Sequence, residues 1–176
     1  HFSEVARSVS IPVILYNVPG RTITSLTTES IVELSEIQNI VGLKEATGNI
    51  DFAKDIAQKT GSEFILLSGD DGTYVDFLAA GGHGVISVAS HILPKQMVTW
   101  KQQAASGNYD EARAGIKKYA KLIDLLFVEA NPIPVKMALY HMGIIRSPEL
   151  RLPLMTLPED LALGLKQEMI ATGVIS

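Results

Sequence analysis

Asn39-Ile-Val-Gly-Leu-Lys44, then residues 50–60 (Ile-Asp-Phe-Ala-Lys-Asp-Ile-Ala-Gln-Lys-Thr), then Phe64-Ile-Leu-Leu-Ser68: these three consecutive pieces decide the fold. The first and last are short, apolar without interruption and rich in β-branched or aliphatic side chains. The middle piece is helical in pattern and closes at Gly61. Short continuous apolar strands separated by amphipathic helices indicate parallel strands covered on both faces. Right-handed crossovers then lay such strands side by side.

The same alternation extends outward. Upstream, Ile11-Pro-Val-Ile-Leu-Tyr16 ends in Asn17-Val-Pro-Gly20, and a helix-like stretch covers 27–37. Downstream, Gly69-Asp-Asp71 forms a turn before a helix reaching Ala80. Gly84-Val-Ile-Ser-Val88 follows, with a helix over 94–106 stopped by Gly107. The count is roughly four βα units. Beyond Gly107 the strand signal vanishes. Residues 109–128 read as one helix with Ala112, Ile116, Tyr119, Ile123 and Phe127 on its apolar face. Asn131-Pro-Ile-Pro-Val135 interrupts it, and Pro132 or Pro134 suits the first turn of a helix to Met142. A proline-punctuated loop over 147–158 leads to a last helix ending at Gly173. Two domains are expected, an α/β part over 1–107 and a helical part over 108–176. The α/β part is either a small open doubly wound sheet or half of a barrel of about eight strands. A half barrel standing alone leaves its inner face wet, at about 25 cal/mol for each Å² of apolar area unburied.

Composition narrows the function. Of 176 residues, 47% are hydrophobic and 19% charged, which supplies a core and excludes a disordered chain. The net charge is −4 with no extended basic run, which argues against a nucleic-acid partner. Absence of cysteine excludes a disulfide scaffold, a thiolate nucleophile and a cysteine-ligated metal. No apolar stretch is long enough to span a bilayer, so no membrane partner is expected. The chain opens His-Phe-Ser-Glu with no charged-then-apolar leader, so no signal peptide is expected. A start without Met leaves upstream residues open.

In parallel α/β folds the reactive side chains sit at the C-terminal ends of strands. Those ends are Tyr16-Asn17, Lys44-Glu45, Ser68-Gly69-Asp70-Asp71 and Ser87. Adjacent parallel strands lie about 4.8 Å apart, so Tyr16 and Lys44 can face one another across one strand gap. Such a pair suits imine chemistry: a lysine in an apolar rim acts as a neutral nucleophile towards a carbonyl, and a phenol moves the protons. From spacing alone, the commoner role of such residues is packing, with the lysine stem covering apolar surface and the tyrosine half-buried. Arg21 either grips a carboxylate bidentately or is simply exposed. Asp70 and Asp71 resemble a metal pair, but turn and helix N-cap roles fit them better. His83 and His91 are isolated. Gly81-Gly-His-Gly84 matches neither dinucleotide nor phosphate-loop spacing and reads as a helix-to-strand turn.

Five segments in register carry a more specific signal: Tyr16-Asn-Val-Pro-Gly-Arg-Thr22, Gly42-Leu-Lys-Glu-Ala-Thr-Gly-Asn49, Ser68-Gly-Asp-Asp71, Gly81-Gly-His-Gly-Val-Ile-Ser87 and Asn131-Pro-Ile-Pro-Val-Lys136. Together they resemble the dihydrodipicolinate synthase family, pyruvate-dependent lysine-Schiff-base aldolases of diaminopimelate and lysine biosynthesis. The resemblance implies a (β/α)8 TIM barrel of which this chain is the second half, about four βα units, plus a C-terminal helical segment. It implies condensation of pyruvate with L-aspartate 4-semialdehyde in a cytoplasmic homotetramer that needs no metal or organic cofactor. By the same resemblance, Lys44 forms the imine, Tyr16 relays protons and Arg21 holds the aldehyde's carboxylate. Gly69 and the backbone of Ile86 line the pyruvate site, and Asn131 supports the pocket. The family's further relay residues, a threonine and a second tyrosine from a neighbouring subunit, have no counterpart here. Two alternatives accompany this reading: an N-acetylneuraminate lyase-like aldolase of the same superfamily, which resembles the Pro-Gly-Arg-Thr segment less, and a catalytically silent truncated half barrel.

Overall fold

The computed structural model describes residues 1–176, which pack as two compact units, His1–Ser87 and Val88–Ser176. In the first unit the order is α1 (Phe2–Arg7), β1 (Val13–Asn17), α2 (Pro19–Thr22), α3 (Thr28–Ser35), β2 (Ile40–Glu45), α4 (Ile50–Lys59), β3 (Ile65–Ser68), α5 (Tyr74–Ala79) and β4 (Gly84–Val85). The four strands form one parallel sheet in the order β1-β2-β3-β4. Strand β1 starts at Val13 rather than Ile11, because Pro12 has no N–H to offer the ladder; Val13 N–H is the first to donate, to Asn39 O at 2.7 Å.

Side chains alternate across the sheet, and the register aligns them in rows. Leu15, Leu43 and Leu66 form one row, and with Ile31 of α3, Ala53 and Ile56 of α4, and Phe77 of α5 they build the core. The opposite row runs through Tyr16, Lys44, Leu67 and Gly84. The helices therefore cover one face of the sheet and leave the other open, as a half barrel would. Tyr16 on the other face is 47% exposed, and Ile14 and Ile65 are also open. A doubly wound sheet needs helices on both faces, so that alternative is excluded.

Local sequence explains the helices. Thr27 caps α3 by accepting from Ser30 N–H at 3.2 Å, and Asn49 caps α4 by accepting from Phe52 N–H at 3.0 Å. Glu29 and Asp51 sit in their first turns, where the helix dipole favours negative charge. Two helices had no clear signal. The one-turn α2 lies inside Asn17-Val-Pro-Gly-Arg-Thr22, and the short α1 precedes the first strand.

The second unit holds a 3-10 turn (Ala89–His91), α6 (Pro94–Ala105), α7 (Tyr109–Lys118), α8 (Ala120–Leu125), α9 (Ile133–His141) and α10 (Glu159–Ala171). Helix α6 packs on α7, and α10 packs on α8 and α9. The sequence boundary near residue 107 thus falls between two helices of one unit. Gly115 of α7 lies under Trp100; a Cβ there would come within 2.3 Å of the indole nitrogen. The expected single helix over 109–128 is two helices. Tyr119 breaks it at φ −106, ψ 6, its N–H donating to Ile116 O three residues back. The inward stripe turns with the break, so Leu122 and Leu126 are buried and Phe127, expected inside, is half-exposed. Salt bridge Lys121–Glu168, at 2.6 Å, joins α8 to α10. No helix is long and apolar enough to cross a membrane.

Candidate functional site

The strand ends of the first unit converge at one edge of the sheet. Tyr16 and Lys44 are register partners on the open face, and Lys44 Nζ lies 4.1 Å from the centroid of the Tyr16 ring. Where the sequence suggests an apolar rim, the structure seats the amine on an aromatic face, a favourable place for a cation. Just past the end of the next strand, Gly69 makes room for this arrangement. A Cβ on it would lie 2.9 Å from Lys44 Cε and 2.6 Å from Ala46 Cβ, closer than carbon atoms pack. Gly69 N–H donates to Glu45 O at 2.7 Å, which fixes the turn after β3 against β2.

Ile86 follows β4, and its N–H donates to Ser68 O at 2.9 Å. Its backbone is therefore tied to the end of β3, while its side chain is exposed. Arg21 stands exposed in α2, one turn beyond the end of β1. Its loop is pinned internally by Thr22 Oγ1, which bonds Val18 O at 3.1 Å and Thr24 O at 2.8 Å. Asn131 lies in the second unit, exposed before α9 and joined to Pro132 by a cis peptide. One edge of the first unit thus gathers Tyr16, Lys44, Gly69 and the Ile86 backbone, with Arg21 in the adjoining loop. Asn131 belongs to the other unit.

Asp70 Oδ2 accepts from Thr73 N–H at 2.9 Å and from Thr73 Oγ1 at 2.6 Å, which makes it a turn-forming residue ahead of α5. Asp71 is buried. His83 pairs with β3 twice: its N–H donates to Leu66 O, and its Nδ1 accepts from Leu66 N–H at 3.0 Å. Gly82 sits against the Phe77 ring, where a Cβ would come within 2.2 Å, so the glycine-rich stretch is a tight helix-to-strand turn.

On the helix-covered face, directly behind Tyr16 and Lys44, lies a polar pair that sequence reasoning placed only as strand-end residues. Asn17 and Glu45 are register partners, each 2% exposed. Asn17 Nδ2 donates to Glu45 Oε2 at 2.7 Å, and Glu45 Oε1 accepts from Thr47 N–H at 2.5 Å. Asn17 Oδ1 accepts from Leu26 N–H at 3.0 Å and from Ser25 Oγ at 3.4 Å. The signal available in sequence was an amide and a carboxylate ending two otherwise apolar strands. Pairing them required the strand register.

Known proteins resemble this chain over nearly its whole length. The model of the dihydrodipicolinate synthetase family matches residues 1–171. The 4-hydroxy-tetrahydrodipicolinate synthase of Bdellovibrio bacteriovorus is 61% identical over 175 residues, covering 99% of this chain and 60% of the relative. Dihydrodipicolinate synthase of Thermotoga maritima superimposes with a TM-score of 0.95 at 38% identity, again over 99% of this chain and 60% of the other. The chloride-inhibited enzyme of Acinetobacter baumannii, complexed with pyruvate, gives a TM-score of 0.95 at 39% identity with the same coverage. This chain therefore spans about 60% of the length of the proteins it matches.

Proposed function

Because the chain belongs to the dihydrodipicolinate synthetase family, we propose that the protein of which it forms part condenses pyruvate with L-aspartate 4-semialdehyde to give 4-hydroxy-tetrahydrodipicolinate. The observation that carries this reading is the Lys44 amine on the face of Tyr16, at the C-terminal edge of a parallel sheet. Lys44 Nζ attacks the keto carbon of pyruvate, and water leaves to form an imine. The methyl group then loses a proton to give an enamine, which forms a carbon–carbon bond to the aldehyde. The amine of the second substrate adds to the imine carbon, and the ring closes as Lys44 is expelled. Tyr16 carries protons to and from the carbinolamine. Arg21 receives the carboxylate of the aldehyde through its guanidinium fork. Gly69 and the Ile86 backbone line the pyruvate end. The protonated imine is itself the electron sink, so no metal or organic cofactor enters the chemistry.

The four βα units are, on this reading, half of a (β/α)8 barrel followed by a helical segment, within a cytoplasmic homotetramer. The open Tyr16 face is then the barrel's interior, closed by strands outside this chain. A polyol-cleaving aldolase of the N-acetylneuraminate lyase type is disfavoured, since the 61% identical relative is a 4-hydroxy-tetrahydrodipicolinate synthase. An uncharged polyol would also leave Arg21 without a carboxylate to hold. The open inner face favours a silent 176-residue chain and an active full-length protein. An assay of the full-length protein with both substrates tests the function. Product formation that disappears in Lys44→Ala supports it, and turnover retained in that variant refutes it.

A further inference from the structure

We infer that the buried Asn17–Glu45 bridge is a positioning device for the aldehyde half of the reaction, an inference that rests on the roles proposed above for Lys44 and Arg21. Neither side chain faces the substrates; both lie on the helix-covered face of the sheet. The backbone ladder already sets the strand register, with Ala46 N–H donating to Asn17 O at 3.0 Å and Gly69 N–H to Glu45 O at 2.7 Å. What the side chains add is a link from the strand of Lys44 to the loop of Arg21.

That loop leaves β1 at Asn17 and returns to the same residue, where Leu26 N–H and Ser25 Oγ both donate to Asn17 Oδ1. Between these ends Ile23 sits in the left-handed region at φ 63 with 92% of its surface exposed. A β-branched residue adopts that conformation only when its surroundings impose it. The direction of Arg21 thus depends on an internally pinned loop whose far end is closed onto one amide. The amide's orientation is in turn dictated by Glu45, because only one of its two flips presents Nδ2 to the carboxyl and Oδ1 to Leu26.

Hydrogen-bond inventory makes this testable by exchange. In Glu45→Gln, Thr47 N–H requires the amide oxygen, so the new NH2 group confronts Asn17 Nδ2, donor against donor. Flipping Asn17 relieves that clash only by turning Nδ2 towards Leu26 N–H. In Asn17→Asp alone, two carboxyl groups meet. In the double variant N17D/E45Q every bond returns, with donor and acceptor exchanged across the strand gap.

The experiment uses the full-length protein, with two readouts: borohydride trapping of pyruvate on Lys44, and steady-state kinetics with aspartate semialdehyde. For E45Q, trapping stays within about twofold of wild type, while kcat/KM for the aldehyde falls about tenfold or more through KM, the scale of one buried polar group left unpaired. N17D falls at least as far, and N17D/E45Q recovers to within about threefold of wild type, the coupling a double-mutant cycle detects. Should E45Q not fold, Ser25→Ala serves. It removes a hydroxyl whose single proton is shared between Asn17 Oδ1 at 3.4 Å and Leu26 O at 3.2 Å, both at the closure of the loop, and lowers aldehyde kcat/KM about threefold with trapping unchanged. Trapping that falls in step with aldehyde kinetics, a double variant no better than the worse single, or an unaffected Ser25→Ala would each overturn the inference alone. A wild-type protein that traps no pyruvate at Lys44 overturns the functional reading and this inference together.

Discussion

The stem of Lys44 runs past a space that position 69 leaves empty. Adding one methyl group there, as Gly69→Ala, sets it 2.9 Å from Lys44 Cε and 2.6 Å from Ala46 Cβ. The lysine stem must shift, at a cost of about 1–3 kcal/mol for an overpacked contact. Pyruvate trapping in G69A should therefore slow by about tenfold or more, measured as the rate of adduct formation at limiting pyruvate. Tyr16→Phe separates the ring from the hydroxyl. The aromatic seat remains, so the trapped adduct still forms at saturating pyruvate, while turnover drops by at least about a hundredfold for want of a proton carrier. A Y16F enzyme with undiminished turnover would remove the phenol from the mechanism. That Tyr16 and Lys44 meet was legible in sequence because a parallel sheet presents its last strand residues at one edge. Gly69 was legible as part of a motif, but its contact with the lysine stem was not, since that depends on side-chain paths across two strands. The Asn17–Glu45 pair stayed hidden for the same reason.

Helix α4 shows why elements of the first unit read so well. Its cap, its apolar face and its terminator are all local, and Ala53 and Ile56 point into the core against Leu43 and Leu66. Ile56 is fully buried, so Ile56→Ala should destabilise the protein by about 2–5 kcal/mol, seen as a lower midpoint in denaturant unfolding. A loss below about 0.5 kcal/mol, the range of surface substitutions, would contradict this packing. The helices after residue 107 were less legible. Periodicity continued through Tyr119 although the backbone did not, and nothing in the side-chain pattern announces a turn made by an i→i−3 bond. The strands alone left open which of two architectures they build, because strands lining a barrel interior carry the same apolar run as strands sandwiched between helices. At the end of α9, burial holds His141 below its ordinary value of 6.5; a backbone bond to Ala162 opposes this and Lys166 reinforces it. Below that value the unfolded chain binds more protons than the folded one, so stability falls as pH drops through about 6.5. Unfolding midpoints measured from pH 7.5 down to 5.5 should decline, and His141→Gln should flatten that decline. An unchanged slope in the variant would remove His141 as its source.

The molecule as a whole is two compact units, of which the first offers a sheet with one face finished by helices and the other half open. The chain's coverage of about 60% of its relatives gives that open face its meaning: on the proposed reading it is the inner wall of a barrel closed by other residues. The 176-residue chain by itself should accordingly show no turnover above the Lys44→Ala background, whereas the full-length protein turns over both substrates. Activity of the isolated chain matching the full-length protein would mean that the open face needs no further walls. Whether position 44 is the amine that captures the keto acid is read out by treating the full-length protein with pyruvate and borohydride and mapping the product by peptide mass spectrometry. A single reduced pyruvate adduct is expected on the peptide containing Lys44, lost in Lys44→Ala. Absence of any adduct, or one that persists in that variant, would contradict it.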